Sequence, residues 1–235
     1  MKYSEIWHFS HPEHKLRFEY SEFPFKCDGC KEPGIGSRYK CSSATCDFDL
    51  HVHCAMVVTT SSPTLYHPFY AKCTFHFMPS PPGDTPRYCN ACEKDVTGFL
   101  YHCKACGFDL HPCCAKLPPL LHVDGEVKLY LYRKVRSPCH RCGRKGRSWS
   151  YRSNCKTYNL HVACVRDLLV ENWHHHAKDV LLPAVVSYGG HRSKGKKVKK
   201  CCEIAALALQ FVISALLGDP TPLIAGIVGS FMSRA

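Results

Sequence analysis

The chain has 235 residues, among them 18 cysteines and 16 histidines, and its formal net charge is +12. The charge is uneven: residues 1–120 carry 12 basic and 12 acidic side chains, whereas residues 121–235 carry 19 basic and 7 acidic ones. The polarity of the chain and its 15 Gly and 16 Pro residues exclude one large hydrophobic core. They favour several small units, which need metal ions or disulfides to be stable.

The first 20 residues are charged and aromatic and contain no apolar run of the kind that marks a secretory signal. We therefore expect an intracellular protein, in the cytoplasm or the nucleus, whose thiols stay reduced. This expectation favours metal binding over disulfide formation as the role of the cysteines.

The cysteines and histidines form a repeat. Residues 46–54 read CDFDLHVHC, residues 106–114 read CGFDLHPCC, and residues 155–164 read CKTYNLHVAC. A Cys-x-x-Cys pair precedes each copy. Repeats of this kind predict tandem modules, which we place at residues 8–67, 68–122 and 123–176. A basic linker (177–202) and an apolar tail (203–235) follow them.

Paired cysteines with histidines at fixed spacing are typical of tetrahedral zinc sites. Twelve residues separate His14 from Cys27, and twelve separate His76 from Cys89. Two zinc ions in each of these modules need eight ligands, and each module still lacks one. His67 is the candidate for the first module, and His122 is the candidate for the second.

This register resembles the C1 zinc-binding domain, and more closely its plant variant, the divergent C1 (DC1) domain. The phrases that carry the resemblance are FPFKCDGC at residues 23–30 and CDFDLHV at residues 46–52. The resemblance covers about residues 8–176 and implies interleaved zinc sites. In the first module these would be His14, Cys41, Cys46 and His67, and Cys27, Cys30, His51 and Cys54. In the second they would be His76, Cys103, Cys106 and His122, and Cys89, Cys92, His111 and Cys114.

The third module departs from this register. Glu126 stands at the position of the leading histidine, and Ser153 replaces the cysteine of the Tyr-x-Cys phrase. One complete ligand set remains: Cys139, Cys142, His161 and Cys164. We therefore predict one zinc ion here and about five in the chain. His174, His175 and His176 are interpreted as a solvated loop. Three cysteines outside the register, Cys73, Cys113 and Cys155, are interpreted as small buried apolar residues.

The third module is also strongly basic. Ten Lys and Arg residues and no acidic residue lie between Lys128 and Lys156, interleaved with aromatic side chains. Such a pattern fits an anionic membrane surface, a nucleic acid or an ordinary solvated face, and the sequence leaves these alternatives open.

The tail combines three features. A lysine-rich stretch at residues 194–200 precedes Cys201 and Cys202, and residues 204–217 are almost wholly apolar. Fourteen residues form a helix of about 21 Å, short of the ~30 Å hydrocarbon core of a bilayer. We predict a helical tail that either associates with a membrane, with Cys201 and Cys202 as candidate lipidation sites, or packs on protein.

The predicted fold class is a tandem of small zinc-stapled β-rich (α+β) modules with C1-like interleaved zinc sites, plus a helical apolar C-terminal tail. No Ser/His/Asp order, paired carboxylates or phosphate-binding glycine loop stands out, so we expect no catalysis. The resemblance implies a plant recognition or adaptor protein in signalling or stress response. Its expected partner is a protein or an anionic membrane surface. Diacylglycerol is not expected, because the Cys-pair loops are short and lack a Gln-Gly phrase.

Two alternatives stay open. In a PHD-like reader of chromatin or nucleic acid, Cys89 and Cys92 would complete the ligand set of the first module. In a thiol-disulfide oxidoreductase, a Cys-x-x-Cys pair would be redox active.

Overall fold

The computed structural model describes residues 4–59, 64–124 and 127–167. Glu126, the histidine run at residues 174–176, the basic linker and the apolar tail with Cys201 and Cys202 lie outside the described residues. The described part divides into two compact units, one ending at Pro118 and one beginning at Pro119.

The first unit contains two four-stranded antiparallel sheets. The first sheet consists of β1 (Glu5–His8), β2 (His11–Lys26), β3 (Pro33–Cys41) and β4 (Asp49–His51), followed by a helical turn, α1 (Val52–Ala55), and a 3-10 turn (Met56–Thr59). The second consists of β5 (Thr64–Leu65), β6 (Phe75–Met78), β7 (Leu100–Cys103) and β8 (Phe108–Leu110), with a 3-10 turn at Pro68–Tyr70 and a helical turn, α2 (Pro112–Ala115).

The second unit contains a third four-stranded sheet, made of β9 (Leu120–Asp124), β10 (Val127–Tyr132), β11 (Ser150–Ser153) and β12 (Asn159–His161). We use first, second and third module for the segments built on these three sheets. The fold is β-rich, as the sequence predicts. Among the described residues, no helix has both the length and the hydropathy needed to cross a bilayer.

All three sheets centre on the same buried cross-strand pair of a tyrosine and a leucine. The pairs are Tyr39 with Leu50, Tyr101 with Leu110, and Tyr151 with Leu160. Aromatic and branched side chains favour such half-buried pleated surfaces. The leucine always stands one residue before a histidine, which is the last residue of β4 and of β12 and directly follows β8. This pairing therefore fixes where the histidine lies.

Two local devices position the cysteines. Each Cys-x-x-Cys pair lies on a turn whose fifth residue adopts a positive φ: Lys31 (63°), Glu93 (59°) and Gly143 (67°). In each turn the N–H of that residue donates to the carbonyl of the first cysteine, as Lys31 does to Cys27 at 2.9 Å. After the histidine, one turn of helix brings a third cysteine back toward the pair, as α1 does for Cys54.

The first and second modules pack against each other within the first unit. Phe99 of the second module joins the hydrophobic cluster of the first, beside Leu16, Tyr39 and Leu50. The Phe99 N–H donates to the carbonyl of Gly29 at 2.9 Å. A Cβ at Gly29 would overlap the Phe99 ring, so this approach needs a glycine.

Candidate metal centres

The structure brings together the predicted Cys-x-x-Cys and His-x-x-Cys ligands of each module. In each set the potential ligand atoms lie within 4.8 Å of one another. The three sets are Cys27, Cys30, His51 and Cys54; Cys89, Cys92, His111 and Cys114; and Cys139, Cys142, His161 and Cys164. Three sulfur atoms and one imidazole nitrogen are a donor set that suits tetrahedral zinc.

The hydrogen bonds of His51 prepare it to bind a metal ion. Its Nε2 donates to the carbonyl of Pro33 at 3.1 Å, which leaves the Nδ1 lone pair free. Nδ1 lies 3.3 Å from the Cys30 sulfur and 3.9 Å from the Cys54 sulfur. The His51 backbone N–H donates to the Cys27 sulfur at 3.4 Å and so stabilises a thiolate there. The Phe25 ring lies beside the His51 ring, with 5.3 Å between their centroids.

The other two sets repeat this geometry. The N–H of the histidine donates to the first cysteine at 3.4 Å in both, from His111 to Cys89 and from His161 to Cys139. Nδ1 of His111 lies 3.4 Å from the Cys92 sulfur. In the third set, Nδ1 of His161 lies 3.5 Å from the sulfur of Cys142.

The three thiols of the His51 set differ in the direction of their pKa shifts. Burial raises the pKa of Cys30 and Cys54, and their contact with the Cys27 thiol raises it further. Burial also raises the pKa of Cys27, but hydrogen bonds with Cys30 and Cys54 outweigh it and hold that pKa well below its ordinary value. The protein by itself stabilises one thiolate in this set. A divalent cation is needed to keep all three thiols deprotonated.

The fourth set, in the first module, contains His11 where the sequence predicted His67. His11 joins His14, Cys41 and Cys46. Its Nε2 lies 3.3 Å from the Cys41 sulfur and 3.6 Å from the Cys46 sulfur. The ring of Phe48 stacks on His11 with 4.4 Å between ring centroids.

His67 has a different role. It follows β5, which pairs with β6 in the second sheet, and its Nδ1 accepts the N–H of Phe69 at 3.2 Å to cap a 3-10 turn. The chain at this point therefore belongs to the second sheet, not to the zinc site of the first. The structure differs from the sequence prediction here.

The corresponding set of the second module contains Cys73, Cys103 and Cys106. Cys73, interpreted from the sequence as an apolar residue, has its sulfur 2.9 Å from that of Cys106. Two predicted ligands lie outside this group. His76 is exposed on β6 opposite His102, and His122 is exposed on β9 of the third sheet.

A signal in the sequence could have identified both missed ligands. Fifteen residues separate His11 from Cys27, and fifteen also separate Cys73 from Cys89. His14 and His76 each stand three residues further along the chain. His11 and Cys73 thus occupy equivalent positions, which becomes visible once a cysteine is allowed to replace a histidine.

Among residues 127–167, the third module has no second ligand cluster. Leu129 pairs with Ser153 in the third sheet as Leu16 pairs with Cys41 in the first, so a hydroxyl replaces a ligand sulfur. Cys155 is exposed, contrary to the buried apolar interpretation, whereas Cys113 is buried as expected. Among the described residues there are thus four complete four-ligand sets and one set of three cysteines.

A comparison with protein families agrees with this geometry. A model of the C1 domain family matches the chain twice, over residues 9–55 and over residues 67–115. The first match begins two residues before His11, and the second begins six residues before Cys73. Comparisons with curated proteins and with solved structures found no match. The chain therefore carries two C1-like segments, and its Cys/His clusters can hold four or five zinc ions.

The geometry does not support the PHD-like pairing. That pairing would place Cys89 and Cys92 with the ligands of the first module, whereas they lie with His111 and Cys114. The Cys-x-x-Cys pairs also lie on turns after strands or loops, not at the start of a helix, where a redox-active pair is expected.

The assignment of His11 leads to a direct test. Changing His11 to Ala is expected to remove one zinc ion per chain, because three ligands remain in an open site. Changing His67 to Ala is expected to keep the full zinc content. Elemental analysis of the purified variants measures both. Loss of zinc from the His67 variant but not from the His11 variant would restore the sequence-based assignment.

Proposed function

We propose that the chain is a non-catalytic, zinc-dependent adaptor of intracellular signalling or stress response, whose third module binds an anionic surface. The observation that carries this proposal is the charge of that module. Residues 127–167 contain 11 Lys and Arg residues and one acidic residue. Eight of the basic side chains are exposed: Arg133, Lys134, Arg136, Arg141, Arg144, Lys145, Arg147 and Lys156.

The basic surface also carries aromatic side chains. Along β10, Leu129 and Leu131 are buried, whereas Tyr130 and Tyr132 point to the other face and are 38% and 44% exposed. Tyrosine beside lysine and arginine suits the interfacial region of a membrane, where an aromatic ring meets headgroups and hydrocarbon at once.

A comparison between the modules supports an anionic binding partner for the basic side chains of the third module. In the first module Asp49 accepts a hydrogen bond from Arg38 at 3.0 Å, and in the second Asp109 accepts one from Arg87 at 2.6 Å. The third module has Asn159 at this position, two residues before the zinc-binding histidine. An internal acidic partner has therefore been lost.

The loss of this carboxylate leaves Arg152 with neutral partners. Arg152 is the cross-strand neighbour of Asn159 and donates to the Ser137 hydroxyl at 3.1 Å and to the Lys156 carbonyl at 3.4 Å. Its charge is not compensated by an acidic side chain among these contacts. An anionic partner would supply the missing compensation.

Among anionic partners, a membrane surface is the one that the whole chain favours. Each basic side chain near an anionic leaflet contributes about 1 kcal/mol to binding. The lysine-rich stretch at residues 194–200, the cysteine pair at 201–202 and the apolar tail would add the second anchoring signal that stable association requires.

Vesicle sedimentation of the full chain tests this proposal. Binding to vesicles that contain phosphatidylserine is expected to exceed binding to neutral vesicles and to weaken with salt. The triple variant Arg144→Glu, Lys145→Glu and Arg147→Glu is expected to bind at least about 100-fold more weakly. The matched control is Lys72→Glu, Lys104→Glu and Lys116→Glu, which changes three exposed lysines of the second module.

Three outcomes would count against an anionic membrane as the partner. Equal binding to neutral vesicles would show that the tail alone drives association. Equal effects of the two triple variants would show that net charge, not the surface of the third module, determines binding. Weak vesicle binding with tight, salt-sensitive binding to an acidic protein would replace the membrane by that partner.

A further inference from the structure

The three equivalent zinc-site histidines differ in what their second nitrogen contacts. Nε2 of His51 has the carbonyl of Pro33 at 3.1 Å. Nε2 of His111 has the carbonyl of Asp95 at 2.9 Å and, in addition, a carboxylate oxygen of Glu32 at 3.1 Å. Nε2 of His161 is buried and has no hydrogen-bond partner among the described residues. Of the three histidines, His111 is thus the one whose Nε2 contacts a carboxylate.

The carboxylate behind His111 comes from the other module. Glu32 follows the Cys-x-x-Cys turn of the first module, and its carbonyl accepts the N–H of Cys27, a ligand of the first-module site, at 3.0 Å. The Glu32 residue is only 8% exposed. A buried carboxylate held by the metal-binding turn of one module therefore contacts a metal-binding histidine of the next.

The interface around Glu32 is tight. The backbone bond from Phe99 to Gly29 lies in the same turn region, and Phe99 is 4% exposed. A side chain at Gly98 would clash with the Gly29 carbonyl oxygen. The position of Glu32 relative to His111 is therefore set by backbone contacts between the modules and not by a free side chain at the surface.

We propose that Glu32 is a positioning residue for the zinc site of the second module, so that the first and second modules bind zinc as a coupled pair. The Asp95 carbonyl already fixes the tautomer of His111. By accepting a second hydrogen bond from Nε2–H, the Glu32 carboxylate holds the ring with Nδ1 toward Cys92. It also makes the imidazole a stronger donor. Such partners of metal-binding histidines typically change metal affinity 10- to 100-fold when they are removed. This inference does not depend on the proposed adaptor function.

The coupling runs through the Cys-x-x-Cys turn of the first module. Glu32 directly follows the turn that carries Cys27 and Cys30 and is bonded to it through Cys27, so zinc in the first module would order the segment that holds the carboxylate against His111. Linkage requires the reverse effect as well, since zinc in the second module then stabilises the conformation of Glu32 that the first prefers.

The test uses the full chain loaded with zinc and a rising concentration of a competing chelator. Thiols freed at each step are alkylated with N-ethylmaleimide, and peptide mass spectrometry assigns them to their sites. In the Glu32→Ala variant, Cys89, Cys92 and Cys114 are expected to react at 10- to 100-fold lower chelator concentration, whereas the third-module thiols are unchanged. Glu32→Gln, which keeps the shape of the side chain, is expected to lie between this variant and the unmodified chain.

The matched control is Glu5→Gln, which removes an exposed carboxylate of the first module that pairs with Lys15 and Arg17. It is expected to leave all sites unchanged. The proposal is overturned if Cys89, Cys92 and Cys114 keep their protection in both Glu32 variants. It is also overturned if only the first-module thiols lose protection, since Glu32 would then act on its own module alone.

Discussion

Removing zinc from the purified chain is expected to unfold the three modules. Their sheets are too small to be stable alone, because β4, β8 and β12 have three residues each and β5 has two. A structural zinc ion contributes about 10–16 kcal/mol of apparent binding free energy at neutral pH. This is as large as the whole stability of an ordinary domain, about 5–15 kcal/mol.

The measurement is circular dichroism in the presence of a strong zinc chelator, followed by re-addition of zinc. The β-sheet signal is expected to disappear and then to return. The control is a reducing agent without chelator, which should leave the signal intact. Unfolding by the reductant but not by the chelator would indicate a disulfide framework and would contradict the zinc assignment of every cluster.

The local part of each metal site could be predicted from the sequence. A Cys-x-x-Cys turn places two sulfur atoms together by itself, and Leu-His-x-x-Cys places a histidine and a cysteine on a strand end and the next helical turn. Both motifs are short, so the backbone conformation of a few residues determines them. The sets around His51, His111 and His161 follow from these two motifs.

The ligands that lie far along the chain from the local motifs could not be predicted with the same success. His11 reaches Cys41 because β1 and β2 form a hairpin, with His8 opposite His11, and because β2 pairs with β3. The identity of the eighth ligand depends on that pairing and not on a local motif. The spacing of His67 from Cys54 allows it to be a ligand of the first module. However, β5, which precedes His67, pairs with β6 and so places His67 beside the second sheet.

The contact between the first two modules had no signal in the sequence. Phe99 and Gly29 are 70 positions apart, and neither belongs to the ligand register. Glu32 is one acidic residue among 19 in the chain, and only the docking of the modules places it behind His111.

The third module has one complete ligand set, so the loss of a single ligand is expected to unfold it. The Cys139→Ser variant should bind one zinc ion fewer per chain. Without that ion, the third module loses a contribution of about 10–16 kcal/mol, which exceeds what a unit of this size can replace. The first module is less vulnerable to the same kind of change, because it carries two sets.

Tryptophan fluorescence reports this unfolding. Trp149 is fully buried in the third module, whereas Trp7 is 61% exposed and changes little on unfolding. Trp173, the third tryptophan, lies outside the described residues and is changed to Phe in every chain compared. The emission of the Cys139→Ser variant should therefore shift to longer wavelength. The Cys155→Ser variant, which changes an exposed cysteine outside the clusters, should keep both its zinc and its emission.

The two cysteine variants together show whether zinc or the hydrophobic core stabilises the fold of the third module. If Cys139→Ser loses its zinc but keeps Trp149 buried, the hydrophobic core around Trp149, Tyr151 and Leu129 suffices for the fold, and the metal serves another purpose. If Cys155→Ser loses zinc as well, Cys155 is a ligand of a second site. We expect neither of these two outcomes. Ser153 replaces a ligand sulfur, so residues 127–167 contain one complete ligand set, made of Cys139, Cys142, His161 and Cys164.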